Sequence, residues 1–254
     1  MKVKPRQCGL TLMEMTVVIA VMALLAVFGL PAIRALFSSF ESQGSTRAMI
    51  SAGLASARAI AAKEHHYAGI RFQKAYDPND PDLLNAPQYM IFIVLEEPSK
   101  MGGLTIGFRA VEGIKPIKLP DSVGVMEIMD SNSNSDIDED EEIIDKTTFS
   151  ILFSPSGKLV IHDVRTRNRD GRPNSNNSSR DDIFNTETNV KNGIAMFFQD
   201  YGSDGFQEEP SRNRFIIYDK SEFNKVDESE RWSDYLKYLE VIYINPYIGT
   251  MINR

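Results

Sequence analysis

The sequence predicts an α+β fold in which a long N-terminal α-helix, membrane-spanning in its first part, packs on an antiparallel β-sheet domain. Three observations predict it. Met15 to Ile33 is a run of 19 consecutive uncharged, mostly aliphatic residues, about the length a helix needs to cross a hydrocarbon core. Helix-compatible sequence then continues past Pro31 to about Lys63. Beyond "EHHY" the apolar period changes from helical to strand-like, with β-branched and aromatic runs separated by Gly, Pro, Asn or Asp.

The charges around the apolar run set its expected orientation. Lys2, Lys4 and Arg6 precede it, and Arg34 alone follows closely. An excess of basic residues on the N-terminal side predicts that this end stays in the cytoplasm and the bulk of the chain is exported. Every later apolar cluster is strand-sized, so a single pass is expected. Within this picture Glu14 is anomalous. A carboxylate at the start of a membrane-length segment is costly unless something neutralises it, which makes it a candidate functional residue. The bland reading is that it reaches the interface from a helix end.

Composition excludes several classes. The chain of 254 residues, 42% hydrophobic and 9% aromatic, can bury a substantial core. Its net charge of −7 argues against sequence-independent nucleic-acid binding, which depends on neutralising phosphates. Cys8 is the single cysteine, so no intramolecular disulfide can form and an exported fold is held by burial alone. No G-x-S-x-G, H-E-x-x-H or Gly-rich phosphate loop occurs. His65 and His66 are adjacent, point about 100° apart on a helix and cannot share a metal through that element. His162 stands alone on a predicted strand. The expectation is a non-enzyme with no catalytic residues, no cofactor and no metal.

The N-terminus does not read as an ordinary secretory signal, because the apolar run is too long and lacks a convincing small-residue cleavage site. A lipoprotein signal would place its cysteine after the apolar core, whereas Cys8 precedes it. "CGLTLMEM" followed directly by the apolar run resembles the type IV prepilin signal shared by pilins and type II secretion pseudopilins. In that family a membrane prepilin peptidase cuts after a glycine and the new N-terminus is methylated. The resemblance makes Gly9 the last leader residue and Leu10 the first mature, N-methylated one. It places Glu14 at the family's glutamate and Pro31 at a proline common in mid-helix, both as assembly residues. Leucine rather than the more usual phenylalanine opens the mature chain.

Physical chemistry is compatible with this resemblance. Glycine before the cut lets the backbone extend into a protease site without a Cβ. Cleavage creates a cationic amine at Leu10, and the family's proposed pairing joins Glu14 to that amine on a neighbouring subunit, which rewards one register of assembly. Removing Lys2, Lys4 and Arg6 takes the net charge to −7 − 3 = −10 and removes the thiol. The C-terminal disulfide of many surface pilins is then impossible, which favours a pseudopilin-like member.

The implied organisation is a leader at 1–9, a transmembrane and assembly helix at 10–33, a periplasmic half-helix at 34–66, and a β-rich periplasmic domain at 67–254. Implied partners are the prepilin peptidase, other pseudopilin or pilin subunits, an inner-membrane assembly platform and the lipid bilayer, with location in the bacterial inner membrane and then in a pseudopilus.

Along the second half of the helix Ala48, Ala52, Ala55, Ala59 and Ala62 form a stripe that would let a sheet pack close, or that simply reflects alanine's helix propensity. Gly29, Gly44, Gly53 and Pro31 are expected weak points. Strands are expected from Tyr67, Gln88, Leu104, Phe149, Lys158, Arg214 and Glu240, with "SPSGK" as a hairpin turn. "SARAIAAKEHHYAGIRF" looks like the H-type minor pseudopilins and FimT-like minor pilins, and Phe153, Pro155 and Gly157 resemble their F-x-P-x-G hairpin. "RWSDYLKYLE" reads as a short amphipathic helix whose Trp232, Tyr235 and Leu239 cover the sheet.

Two polar insertions are expected, near 131–147 and 163–192. The first carries Asp136, Asp138 and Asp140 at calcium-loop spacing, but Glu141 and Thr147 occupy the positions that need Gly and Glu, so a solvated like-charge loop is the preferred reading. The second holds Arg165, Arg167, Arg169, Arg172 and Arg180 among Asn, Asp and Gly, a flexible polar loop that could alternatively touch DNA. That alternative belongs to a FimT-like minor pilin binding DNA during uptake, and the negative charge weighs against it. A third rival is a membrane-anchored periplasmic protein of other function.

Overall fold

The computed structural model describes residues 12–74, 84–96, 107–111, 113–128, 137, 140–164, 166 and 209–253. The chain divides between Ser42 and Gln43 into two units, taken separately below. Helix α1 runs Leu12–Glu64 and contributes its first part to one unit and its second part to the other.

In the second unit, α1 from residue 44 onward packs on an antiparallel sheet. Strands β1 (Ala68–Lys74), β2 (Gln88–Glu96), β3 (Gly107–Ala110), β4 (Ile117–Lys118), β6 (Phe149–Phe153) and β7 (Leu159–Val160) build it in the order β3-β2-β1-β6-β7, with β4 also on β2. A second antiparallel sheet has the order β12-β11-β10-β5, from β5 (Val123–Glu127), β10 (Arg214–Asp219), β11 (Ile242–Ile244) and β12 (Met251–Asn253). Strands β8 (Asp163–Val164) and β9 (Glu209–Pro210) form a small two-stranded ladder. The α+β expectation is met by the helix and the first sheet, and the second sheet is an addition to it.

Alternation along the strands explains the layering. Ile70 and Phe72 of β1, Met90 and Phe92 of β2, and Phe149, Ile151 and Phe153 of β6 share one face. They meet Ile50, Leu54, Ala57 and Ala61 of α1, and Val125, Phe215, Ile242 and Ile244 of the second sheet. At the centre the Phe72 and Phe149 rings lie 4.9 Å apart, with Phe215 at 6.1 and 6.3 Å from them. The opposite face of the first sheet is also buried, through Ile91, Ile93, Phe108, Leu152 and Val164. Two buried faces account for the nearly continuous apolar reading of "YMIFIVL".

The helix turns a different face to the sheet from the one its alanines suggest. Ala48, Ala52, Ala55, Ala59 and Ala62 are all exposed. The packed stripe is Thr46, Ile50, Gly53, Leu54, Ala57 and Ala61. Larger apolar side chains gain more from burial, so Ile50 and Leu54 fix the rotation and the alanine stripe is left on the solvent side as good helix former. Gly53 is not a weak point here. A Cβ at that position would lie 2.6 Å from both Sδ and Cε of Met90, so the glycine lets the helix approach β2. The helix ends at His65, whose φ of 56° is the left-handed terminator conformation, and the chain then enters β1.

Several expected strands appear with their expected limits, notably Phe149–Phe153 and Arg214–Asp219. The run from Glu240 is a hairpin instead of one strand, because Asn245–Gly249 turns the chain between β11 and β12. The acidic segment is not wholly a solvated loop: Asp140–Thr147 is helix α2, held by Ile143, which is fully buried. "RWSDYLKYLE" forms a π-helical turn at Arg231–Tyr235 followed by a 3-10 turn at Leu236–Tyr238, not one regular helix. Arg231 and Leu236 are the residues it buries most fully, with Trp232, Tyr235 and Leu239 packed at the margin.

Candidate functional site

Gly9 and Leu10 lie outside the described residues. Glu14 and Pro31 fall in the helical backbone of α1, and their side chains are outside the described ones. What is described of this first part of the helix is its apolar surface. Met13, Met15, Val17, Val18, Val21 and Met22 are all exposed, Met13 by 77% and Met22 by 65%. Among the described residues, no helix is long and apolar enough to cross a membrane.

In the second unit the polar groups buried by the fold act as ties between its parts. The Gln88 amide spans the two sheets. Its Nε2 donates to the carbonyls of Val125 and Thr147 at 2.7 Å each, and its Oε1 accepts from Val125 N–H at 2.7 Å. A side chain from β2 thus supplies to β5 the pair of bonds that a neighbouring strand would otherwise give. Arg71 is buried on β1, donating to Ser150 Oγ at 2.9 Å. Glu127 on β5 is buried and paired with Arg212, with Lys146 Nζ of α2 at 3.8 Å. Sequence reading missed β5 and all three of these groups, because a buried Gln, Arg or Glu looks the same in sequence as a solvated one.

The F-x-P-x-G turn is placed against the helix. Gly157 has a φ of 75°, its N–H donates to Ser154 O at 2.8 Å, and Ser154 N–H donates to Lys158 O at 2.8 Å, closing the β6–β7 hairpin. Arg58 of α1 runs alongside and donates from Nη1 to Ile248 O at 2.9 Å in the β11–β12 turn. That second turn is set by Asn245, whose Oδ1 accepts from Tyr247 N–H at 2.9 Å. It holds Tyr247 and Ile248 exposed at its tip.

No three of His, Cys, Asp or Glu among the described residues come together as a metal site. His65 and His66 are both exposed. His162 packs between Tyr67, at 4.8 Å, and Phe108, at 6.0 Å, with Nδ1 2.7 Å from Asp163 O. Asp136, Asp138 and the five arginines from Arg165 to Arg180 lie outside the described residues, so neither the calcium-spaced carboxylates nor the basic loop has a described geometry. Compared with protein-family models, curated proteins and solved structures, the chain matches none.

Proposed function

We propose that the chain is a prepilin-type structural subunit, a minor pseudopilin of a type II secretion-like machine, and that it works by assembly instead of catalysis. The observation that carries the reading is the order of residues at the N-terminus: a basic leader, Gly9, Leu10, Glu14 and then 19 uncharged residues. Each member has a physical task. Gly9 admits the peptidase, Leu10 supplies a new amine, Glu14 offers the acid that answers it on the next protomer, and the apolar helix holds both in the bilayer. The exposed Met and Val side chains of α1 support a surface made for lipid and sibling helices.

The folded second unit fits a periplasmic role on this reading. Its core is apolar and is held by burial without a disulfide. A test is the Glu14→Val variant. It is expected to be processed normally and to enter the filament poorly when mixed with the wild-type siblings. Incorporation at wild-type level would remove the carboxylate from the assembly mechanism.

A further inference from the structure

Behind the second sheet lies a cluster that the assembly reading does not use. Met126 of β5, Ile216 and Tyr218 of β10, Ile143 of α2, Phe223 and Leu236 enclose it. Two polar side chains enter it from different elements, Tyr218 and Arg231, which are 1% and 4% exposed. Both rest on the same ring: Tyr218 lies 5.1 Å from Phe223, and the Arg231 guanidinium carbon lies 5.0 Å over it. Neither is satisfied. Tyr218 Oη and Arg231 Nε are buried with no hydrogen-bond partner. Buried donors are paired in native proteins almost without exception, and leaving one without a partner is costly.

The neighbours do not remove the deficit. Arg231 Nη1 donates to Ile137 O at 3.3 Å, a long bond. The carboxylate of Glu228 is 3.7 Å from Nη2, but its own side chain is 68% exposed, so solvent screens it. Tyr235, the other phenol here, is already engaged with the backbone of Asp219. Burial is the main effect on Tyr218 and drives its pKa upward, so the phenol keeps its proton and is a donor.

We propose that Tyr218 Oη and Arg231 Nε together hold one small monovalent anion of the halide class. A single-atom acceptor suits this pair, because its two donors belong to different side chains and do not form the parallel fork that a carboxylate takes. The apolar walls suit a weakly hydrated ion over a strongly hydrated one. An enclosed anion also adds a counter-charge inside the cluster to the exposed one that Glu228 supplies.

The chain carries its own reporter, because its one tryptophan, Trp232, is next to Arg231 and packs on this cluster. The test titrates sodium bromide into the full chain in detergent, against sodium isethionate at constant ionic strength, and follows Trp232 fluorescence and thermal unfolding. Expected are saturable quenching by bromide and a higher Tm in bromide or chloride than in isethionate. Tyr218→Phe removes one hydrogen bond and should raise the half-saturating bromide concentration roughly 2- to 10-fold. Arg231→Met should abolish the saturable phase. Linear quenching unchanged in Tyr218→Phe, with Tm following ionic strength alone, would overturn the proposal even if Arg231→Met does not fold.

Discussion

Arg58 lies where a side chain on Gly157 would have to go. A Cβ on Gly157 would come within 2.8 Å of Arg58 Nε, and the φ of 75° at that residue is one that side-chain-bearing residues rarely adopt. Gly249, with φ of 70°, is the counterpart in the other turn, where a Cβ would approach Phe153 Cε1 at 2.9 Å. The glycine and phenylalanine of F-x-P-x-G therefore have steric reasons that connect the hairpin, the C-terminal turn and the long helix. Gly157→Ala is expected to destabilise by about 1–2 kcal/mol from backbone strain alone. Urea unfolding of Gly157→Ala, Arg58→Ala and the double variant should show a positive coupling, since removing Arg58 relieves the contact but not the strain. Strict additivity would mean that Arg58 does not constrain the turn.

Gln88 makes three side-chain hydrogen bonds between the sheets and α2. Gln88→Leu leaves the Val125 N–H and two carbonyls without their partner in a buried interface, at a cost of about 2–5 kcal/mol for several unsatisfied groups. Gln88→Glu should be at least as damaging at neutral pH, because a carboxylate cannot donate to the Val125 and Thr147 carbonyls. Denaturant midpoints measure both, and a loss below about 1 kcal/mol for Gln88→Leu would show that the bridge is replaceable.

The exposed alanines and the buried ones give a matched comparison. Ala59 faces solvent and Ala57 is fully buried against the sheet. Ala59→Leu is expected within about 0.5 kcal/mol of wild type, and Ala57→Leu to cost about 1–3 kcal/mol through overpacking. Thermal unfolding of the pair decides which face of the helix carries the core. The reverse order would rotate the helix on the sheet.

Tyr218 predicts a stability change at high pH. Burial raises its folded pKa above the unfolded value of 10.0. Below pH 10 both states keep the proton and stability is independent of this group. Above it the unfolded chain ionises first, so stability falls as pH rises, by at most about 1.4 kcal/mol per pH unit for one site. Tyr218→Phe should show a shallower alkaline decline in unfolding experiments from pH 9 upward. An identical slope would mean that the phenol ionises freely in the folded state.

How far the sequence could be read follows from which residues carry periodicity. β1, β2, β6 and β10 announce themselves because alternating large apolar residues face two cores. β5 was invisible: "VGVME" is interrupted by Gly124, over which Tyr218 lies, and by Glu127, which needs Arg212 to be buried. The alanine stripe misled because regular spacing records helix propensity as well as packing, and the bulkier Ile50 and Leu54 decide the interface. α2 was hidden by net charge, since one buried isoleucine anchors a run otherwise acidic. The candidate site was legible only as a motif, since Gly9 and Leu10 lie outside the described residues and of Glu14 and Pro31 only the helical backbone is described.

The central claim is that this chain is cut between Gly9 and Leu10 and that the new amine is a working part. Intact-mass and N-terminal peptide mass spectrometry of the membrane-extracted protein, co-expressed with a prepilin peptidase, tests it most directly. The account predicts a mature chain beginning at N-methylated Leu10. A chain that keeps Met1, or one that begins beyond Pro31, would contradict it.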